Sequence, residues 1–494
     1  MNLPTRTPLS IILLGLLGAC GAPTQDGGSP ATLSGLAVDG YVAGATVYLD
    51  INGNALLDAY EPRALTDSKG YFGIDENGND YCNSSSSSDL SHCLRTGDYS
   101  GSQLRIEGGI DTLTGEPFQG VLSRTADASG SQVASPLTSL MGNMSSAQVT
   151  AFLGAENTAA GTSLGLGDLK ANPLDISTST SADQNHLIRT AWLVHKSAAV
   201  IAAELKRHYT DAAPANKALA NDFTPYVYRA LVSTWEAAGN PDMQSFLNTA
   251  ANITDLIDGA AALINTDGGS LNVGAIDAAV QADMTTRISK LITLIDDAGI
   301  FTLGGSSALT RSDVEARGRA IEVLTLILSK ASPNMANVDA AIADLVTAPI
   351  LLNLASSAAD VAQIATDYEA TGAAVTDYSG RSDLGTALAG AGVNGSTPTT
   401  LNDGIGGTAD LTIDTGSGTV NIDVSSIDVD NDGNPDNVSL PGTITAINDY
   451  TSVMTLDVMG SQQTVILETD ASGNLVFDTS TMTLEDVDLG TFTL

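Results

Sequence analysis

Short apolar runs and long apolar stripes alternate along this chain in three blocks. Between residues 33 and 124 the runs are brief, β-branched and bounded by Gly and Asp, as in Ala45-Thr46-Val47-Tyr48-Leu49, a pattern that predicts strands. Over residues 183–208, Leu187, Ala191, Val194, Ala198, Ile201 and Leu205 recur at steps of four and three, one stripe of an amphipathic helix. Lys206, Arg207 and His208 follow where a helix C-terminus favours positive charge. Further helical windows cover 275–297, 312–330 and 338–366; the second opens on a capping-box pattern, Ser312-x-x-Glu315, and Pro349 should end or bend the third. Beyond residue 408 strand patterns return, with alternation such as Val420-x-Ile422-x-Val424 and a hairpin turn at Ala471-Ser472-Gly473-Asn474. The predicted strand runs there are 408–415, 419–427, 438–447, 452–458, 464–468, 475–477 and 482–494.

The first twenty residues read as an address. Arg6 precedes the apolar run Ile11-Ile12-Leu13-Leu14-Gly15-Leu16-Leu17, too short for a mature membrane span. Leu17-Gly18-Ala19-Cys20 resembles a bacterial lipobox, which implies that Cys20 is acylated and becomes the mature N-terminus. Gly21 after it, in place of Asp, implies outer-membrane sorting. Several acyl chains anchor firmly where one is marginal, so the expected partner at this end is the membrane itself.

Charge then narrows the function. Across 494 residues, 20 Lys+Arg face 57 Asp+Glu, a formal net charge of −37; such a field repels phosphate backbones, and nucleic acid is excluded as a partner. Aromatics are only 4%, so stacking platforms for bases are scarce. Residues 382–494 hold seventeen acidic residues and neither Lys nor Arg, which calls for bound cations, salt or wide charge spacing. Cys82 and Cys93 flank a polar Ser-rich loop, and in an exported chain they are expected to form a disulfide. Zinc held by the two thiols and His92 is the competing reading, but it lacks a fourth ligand at usual spacing.

Two segments suit a hard cation. In the first, Asp50, Asn52, Asn54, Asp58 and Glu61 occupy positions 1, 3, 5, 9 and 12 of a twelve-residue loop, with the Leu56 carbonyl also available, which is the oxygen spacing Ca²⁺ uses. Position 6 is Ala55, where a sharp turn with positive φ normally takes glycine. In the second, Asp428, Asp430, Asp432, Asn434 and Asp436 follow the Asp-x-Asp-x-Asp-Gly pattern with Gly433 in place, but position 12 is Ser439. Both segments also suit solvated Asn/Asp turns.

The stretch Val38-Asp39-Gly40-Tyr41-Val42-Ala43-Gly44-Ala45-Thr46-Val47-Tyr48-Leu49-Asp50, continued by Asp58, Glu61-Pro62, Thr66-Asp67 and Gly70-Tyr71-Phe72, resembles the calcium-binding B-repeat domains of bacterial surface adhesins. The resemblance covers less than a fifth of the chain. It implies a small transthyretin-like β-sandwich, with Asp50, Asn52, Asn54, Asp58 and Glu61 as metal ligands and Asp67 as a further contributor. Ala134-Ser135-Pro136-Leu137-Thr138-Ser139-Leu140 resembles a short Pro-Leu-Thr-Thr-Leu segment that follows such domains in bacterial surface lipoproteins.

Enzymatic patterns are poorly placed. Gly161-Thr162-Ser163-Leu164-Gly165 matches Gly-x-Ser-x-Gly without a strand before it, and Gly390-Ala391-Gly392-Val393-Asn394-Gly395 matches a dinucleotide fingerprint but runs into Pro398. His186 and His195 lie nine apart on one predicted helix, on opposite faces. The sequence therefore predicts a multidomain α+β protein. Its expected parts are a leader (1–19), a tether (20–32), a calcium-binding β-sandwich (33–125), a linker with short helices (126–180), a helical bundle (181–378), a Gly-rich linker (379–407) and an acidic antiparallel β-domain (408–494). The expected role is a surface structural or adhesive one, with two Ca²⁺ sites, no catalytic residues, and an unidentified surface protein or glycan as partner. The competing readings are a carrier of an apolar ligand and a hydrolase with an unrecognised site.

Overall fold

A computed structural model describes residues 31–53, 55, 57–58, 60–96, 101–127, 131–208, 223–267, 272–296, 308–347, 358–373, 384–390, 399–402, 408–414, 419–427, 436–446, 451–458, 461–469, 475–478 and 491–493. Helices and several sheets are both present, as the period-3.6 and period-2 patterns require. The first block comprises β1 (Ala31–Leu33), β2 (Gly35–Ala37), β3 (Val42–Ala43), β4 (Thr46–Asp50), β5 (Arg63–Leu65), β6 (Tyr71–Phe72), α1 (Ser87–Ser91), β7 (Leu94–Thr96), β8 (Gln103–Glu107), β9 (Ile110–Asp111), β10 (Val121–Thr125) and β11 (Gln132–Ala134). One sheet runs β10-β8-β4-β5 and another β11-β2-β6. Leu36 aside, their inward residues share one core: Ala37, Val47, Leu49, Ala64, Phe72, Leu104, Ile106, Leu122 and Ala134 are all buried together. The β4–β8 register places Asp50 opposite Gln103 and Tyr48 opposite Arg105, which sets up the loop described below.

The helical block comprises α2 (Pro136–Met141), α3 (Ser146–Ala160), α4 (Leu166–Lys170), α5 (Ala182–Arg207), α6 (Thr224–Ala237), α7 (Met243–Leu247), α8 (Ala250–Asp267), α9 (Ala278–Asp296), α10 (Arg311–Leu328), α11 (Met335–Thr347), α12 (Ala358–Thr371) and α13 (Leu384–Gly390). Residues 126–180 are more than the linker the sequence predicts. Leu137, Leu140, Phe152, Leu164, Leu169 and Leu174 lie in the same core as α5, α6 and α8. α2 is capped by Ser135, with Pro136 in its first turn, and the Ser139 hydroxyl accepts from the backbone N–H of Ser123 next to it on β10 (2.8 Å). The predicted start of α10 shifts: Thr310 is its N-cap and forms the capping box with Asp313, while Ser312 already lies within the helix. Pro349 lies outside the described residues; α11 ends at Thr347 before it.

α5 departs most from its predicted amphipathic stripe. From His186 to Leu205 nearly every residue is buried, because α2, α6, α7, α9 and α10 pack against it. The buried Arg287 guanidinium on α9 donates to the carbonyls of Leu328 (2.9 Å), Lys330 (2.6 Å) and Ala331 (3.1 Å), satisfying groups that α10 leaves open at its C-terminus.

The last block is one antiparallel sheet of eight strands in chain order: β12 (Thr399–Asn402), β13 (Thr408–Asp414), β14 (Thr419–Ile427), β15 (Asp436–Ala446), β16 (Thr451–Val458), β17 (Ser461–Thr469), β18 (Leu475–Asp478) and β19 (Thr491–Thr493). Two elements fall inside the predicted Gly-rich linker. β12 opens the sheet, and α13 lies against β17 and β18 with Leu384 and Leu388 buried. On β16, consecutive residues Ser452, Val453, Met454, Thr455 and Leu456 are all buried, so this strand is covered on both faces. Ile110 of β9 packs with Val453 and Ile466, joining the sheet to the first block.

A candidate cation loop and a buried ionic cluster

The segment between β4 and β5 folds back on its own carboxylates. Asp50, at the end of β4, accepts from the backbone N–H of Gly53 through Oδ1 (2.7 Å) and from that of Ala55 through Oδ2 (3.0 Å). Glu61, eleven residues on, accepts from the N–H of Ile51 through Oε1 (2.8 Å) and from that of Asp58 through Oε2 (3.1 Å). The first and last acidic residues of the loop thus hold its two ends together, and both are buried. Ala55 takes the left-handed conformation, φ 66°, at a cost of about 1 kcal/mol for a residue with a Cβ. The buried Tyr48 hydroxyl donates to its carbonyl (3.2 Å) and helps hold it there. Burial and the nearby Glu107 push the Tyr48 phenol above its ordinary range, so it remains a donor.

The amide of Asn52 donates to Asp58 Oδ2 (2.7 Å) and to the Tyr60 hydroxyl (2.6 Å). Asn54 and Leu56 lie outside the described residues. A hard cation would find oxygen donors on Asp50, Asn52, Asp58 and Glu61, and each carboxylate oxygen that accepts one N–H retains a second lone pair. One neighbour opposes a cation: Arg105 on β8 donates from Nε to Asp50 Oδ2 (2.7 Å). Among the described residues no three His, Cys, Asp or Glu side chains converge as a metal group. Asp67 serves its own turn, accepting from the N–H of Lys69 and Tyr71 (2.8 Å each) and from the Tyr81 hydroxyl (2.5 Å).

In the second candidate loop, Asp428, Asp430, Asp432 and Asn434 lie outside the described residues, as does Cys20. Their frame is visible: Ile427, ending β14, pairs with Asp436, beginning β15, so residues 428–435 connect two adjacent strands. Cys82 and Cys93 form the expected disulfide, which takes both thiols from the zinc reading. His92 Nδ1 instead bonds the Leu65 carbonyl (3.0 Å). Gly161 is the left-handed C-cap of α3; a helix precedes Ser163, and a nucleophile elbow needs a strand there.

The feature that the sequence did not reveal is a charged cluster where the turn between β2 and β3 meets α5 and α10. Lys196 Nζ lies 2.7 Å from Asp39 Oδ2 and 2.9 Å from Glu322 Oε2, with side-chain exposures of 8%, 0% and 4%. His195 Nε2 is 3.6 Å from the same Asp39 oxygen, its Nδ1 bonds the Tyr228 hydroxyl (2.9 Å), and Phe118 stacks on its ring. Burial opposes ionisation of Asp39, but His195 and Lys196 outweigh it and hold the carboxyl below its usual range. Burial likewise opposes the Lys196 charge, which Asp39, Glu322 and Asp111 more than restore. Burial dominates at His195, keeping the imidazole neutral to lower pH than usual. Asp111, also buried, is pushed up to about 7 by desolvation, with Asp39 and Glu322 reinforcing it against Lys196. One ammonium therefore serves three carboxyl groups, and burial holds the proton on Asp111 to well above the ordinary carboxyl range. The available sequence signal was slight: a lone Lys in an apolar helical stretch.

His186 belongs elsewhere. Its Nε2 bonds Glu156 Oε2 (2.7 Å), and Glu156 Oε1 accepts the N–H of Met243 (2.7 Å), so this pair ties α3 and α5 to the start of α7. Among the described residues no helix is long and apolar enough to cross a membrane. The chain matches no family model, no curated protein and no solved structure.

Proposed function

We propose that this is an exported protein anchored at the outer membrane through a lipid on Cys20, with a structural or adhesive role toward a surface protein or glycan. In this reading the first block is a transthyretin-like β-sandwich, the middle block a helical bundle, and the last an acidic β-domain. Ca²⁺ stiffens the chain at two loops: Asp50, Asn52, Asn54, Leu56, Asp58 and Glu61 would hold one ion, and Asp428, Asp430, Asp432, Asn434 and Asp436 the other. Bound there, Ca²⁺ supplies charge neutralisation and cross-linking of loop ends; it takes part in no reaction.

The observation that carries this reading is the closed 50–61 loop, with terminal carboxylates buried and Ala55 already in the turn that position 6 requires. Ile51 and Tyr60 stand exposed within it, giving a partner an apolar surface near the ion. The disulfide agrees with an oxidising compartment. The anchor is tested by growing a diderm host that expresses the full chain with labelled palmitate. Label on the wild type that is lost in Cys20→Ser supports the reading; an unlabelled, freely released wild type refutes it.

A further inference from the structure

Asn52 of the 50–61 loop is followed by Gly53, and both are exposed. Gly53 has φ 73° and open space where a Cβ would stand, so nothing shields its nitrogen from the Asn52 side chain one residue back. That tether supplies much of the entropic part of a ring-closure barrier; what remains is to move two protons. Asp50 Oδ1 already accepts the Gly53 N–H (2.7 Å). At the other end, the Asn52 amide nitrogen lies against the Tyr60 hydroxyl (2.6 Å) and Asp58 Oδ2 (2.7 Å). Asn77-Gly78, the other such dipeptide among the described residues, provides a contrast. Gly78 has φ 84° and the same open space, but its N–H donates to the Asp75 backbone carbonyl (3.1 Å), which is no base.

We propose that Asn52 is a self-modifying site, which its own loop converts to a carboxylate through a succinimide with Gly53. Asp50 takes the Gly53 proton, and the nitrogen attacks Asn52 Cγ, forming a C–N bond. The amide nitrogen takes a proton from Tyr60, its bond to Cγ breaks, and it leaves as ammonia; Asp50 and Tyr60 then return to their starting states by proton exchange through water. Water adds to one succinimide carbonyl and opens the ring. Addition at Cγ leaves aspartate, and addition at the backbone carbonyl leaves isoaspartate. One water is consumed and one ammonia released, with no oxidant or cofactor. Either product adds a negative charge to the loop. The consequence of the aspartate form rests on the calcium reading: a carboxylate replaces a neutral amide at position 3 and strengthens the hold on Ca²⁺. The modification itself does not depend on that reading.

The full chain is aged in EDTA at neutral pH, sampled over weeks and mapped by mass spectrometry for the mass change from amide to acid. With a base and an acid in place, Asn52 should convert at least about tenfold faster than Asn77 in the same molecules. Asp50→Asn, which keeps an acceptor for the Gly53 N–H but removes the base, should slow Asn52 to the rate of Asn77. An intact Asn52, or equal rates at the two dipeptides of the wild type, overturns the proposal whether or not the variant folds. Undiminished conversion in Asp50→Asn overturns the role given to Asp50. In a calorimetric titration, Asn52→Asp should bind Ca²⁺ several-fold more tightly than freshly prepared wild type. Equal affinity overturns the consequence assigned to the new charge; no Ca²⁺ binding by either protein overturns the calcium reading and that consequence together, while the mapping still decides the modification.

Discussion

Replacing Glu61 by alanine separates what the 50–61 loop does by itself from what an ion adds. Glu61 is buried and accepts two backbone N–H groups, from Ile51 and Asp58. Hydrogen bonds to a charged acceptor contribute about 1.5 to 3 kcal/mol each, so without calcium Glu61→Ala, which removes two, should lower the local opening free energy of β4 and β5 by about 3 to 6 kcal/mol. With free Ca²⁺ at about one hundred times its dissociation constant the wild type gains roughly 2.7 kcal/mol more, which the variant should lack. The chain has several blocks and need not unfold in a single step, so the suitable assay is native-state hydrogen exchange of Thr46–Asp50 and Arg63–Leu65. Glu61→Gln, which keeps one carbonyl acceptor, should fall between wild type and alanine in EDTA. Equal protection of these strands in wild type and Glu61→Ala, with EDTA present, would refute the argument from loop closure.

Arg105→Gln removes the guanidinium that lies on Asp50 Oδ2, and should raise calcium affinity several-fold while lowering stability in EDTA; weaker binding in a calorimetric titration would contradict this. Asp111 is held up to about 7, against an ordinary carboxyl value of about 3.9. Between these values the folded chain keeps a proton that the unfolded chain has released, so this group's contribution is full below about 4 and is lost as pH rises through about 7. Asp111→Asn keeps an acceptor for the Leu113 N–H; urea midpoints should therefore show wild type losing ground to the variant from pH 4 to 7, and parallel curves would refute the assignment. Reducing Cys82–Cys93, eleven positions apart, should cost about 2 to 3 kcal/mol on the chain-entropy account, and an unchanged urea midpoint would count against it.

Where local pattern governs structure, the sequence was informative. α5 begins and ends within a residue or two of its predicted limits, and β14 matches its predicted run, because a long apolar period outweighs local noise. Elements whose partners are distant were harder to see. α3 has almost no amphipathic stripe of its own, yet Phe152 and Glu156 are buried by contacts with residues far along the chain. β12 and α13 were hidden in a Gly-rich stretch, since a short strand is specified by the neighbour it pairs with, here Thr408–Asp414. In the candidate loop the ligand spacing could be read directly, and so could the conformational demand on Ala55. The opposing Arg105 could not, because it arrives through strand register across β4 and β8. Asp39, Asp111, Lys196 and Glu322 come from four separate segments and meet only in the folded chain, so no spacing rule could have united them.

The central claim is that Ca²⁺ is part of the folded structure, and thermal unfolding of residues 21–494 at fixed ionic strength, with Ca²⁺ and with EDTA, tests it most directly. The account predicts a higher midpoint with Ca²⁺, part of which is lost in Asp50→Ala/Asp58→Ala and part in Asp430→Ala/Asp432→Ala. Identical melting in Ca²⁺ and EDTA would contradict it, leaving both segments as ordinary Asn/Asp turns.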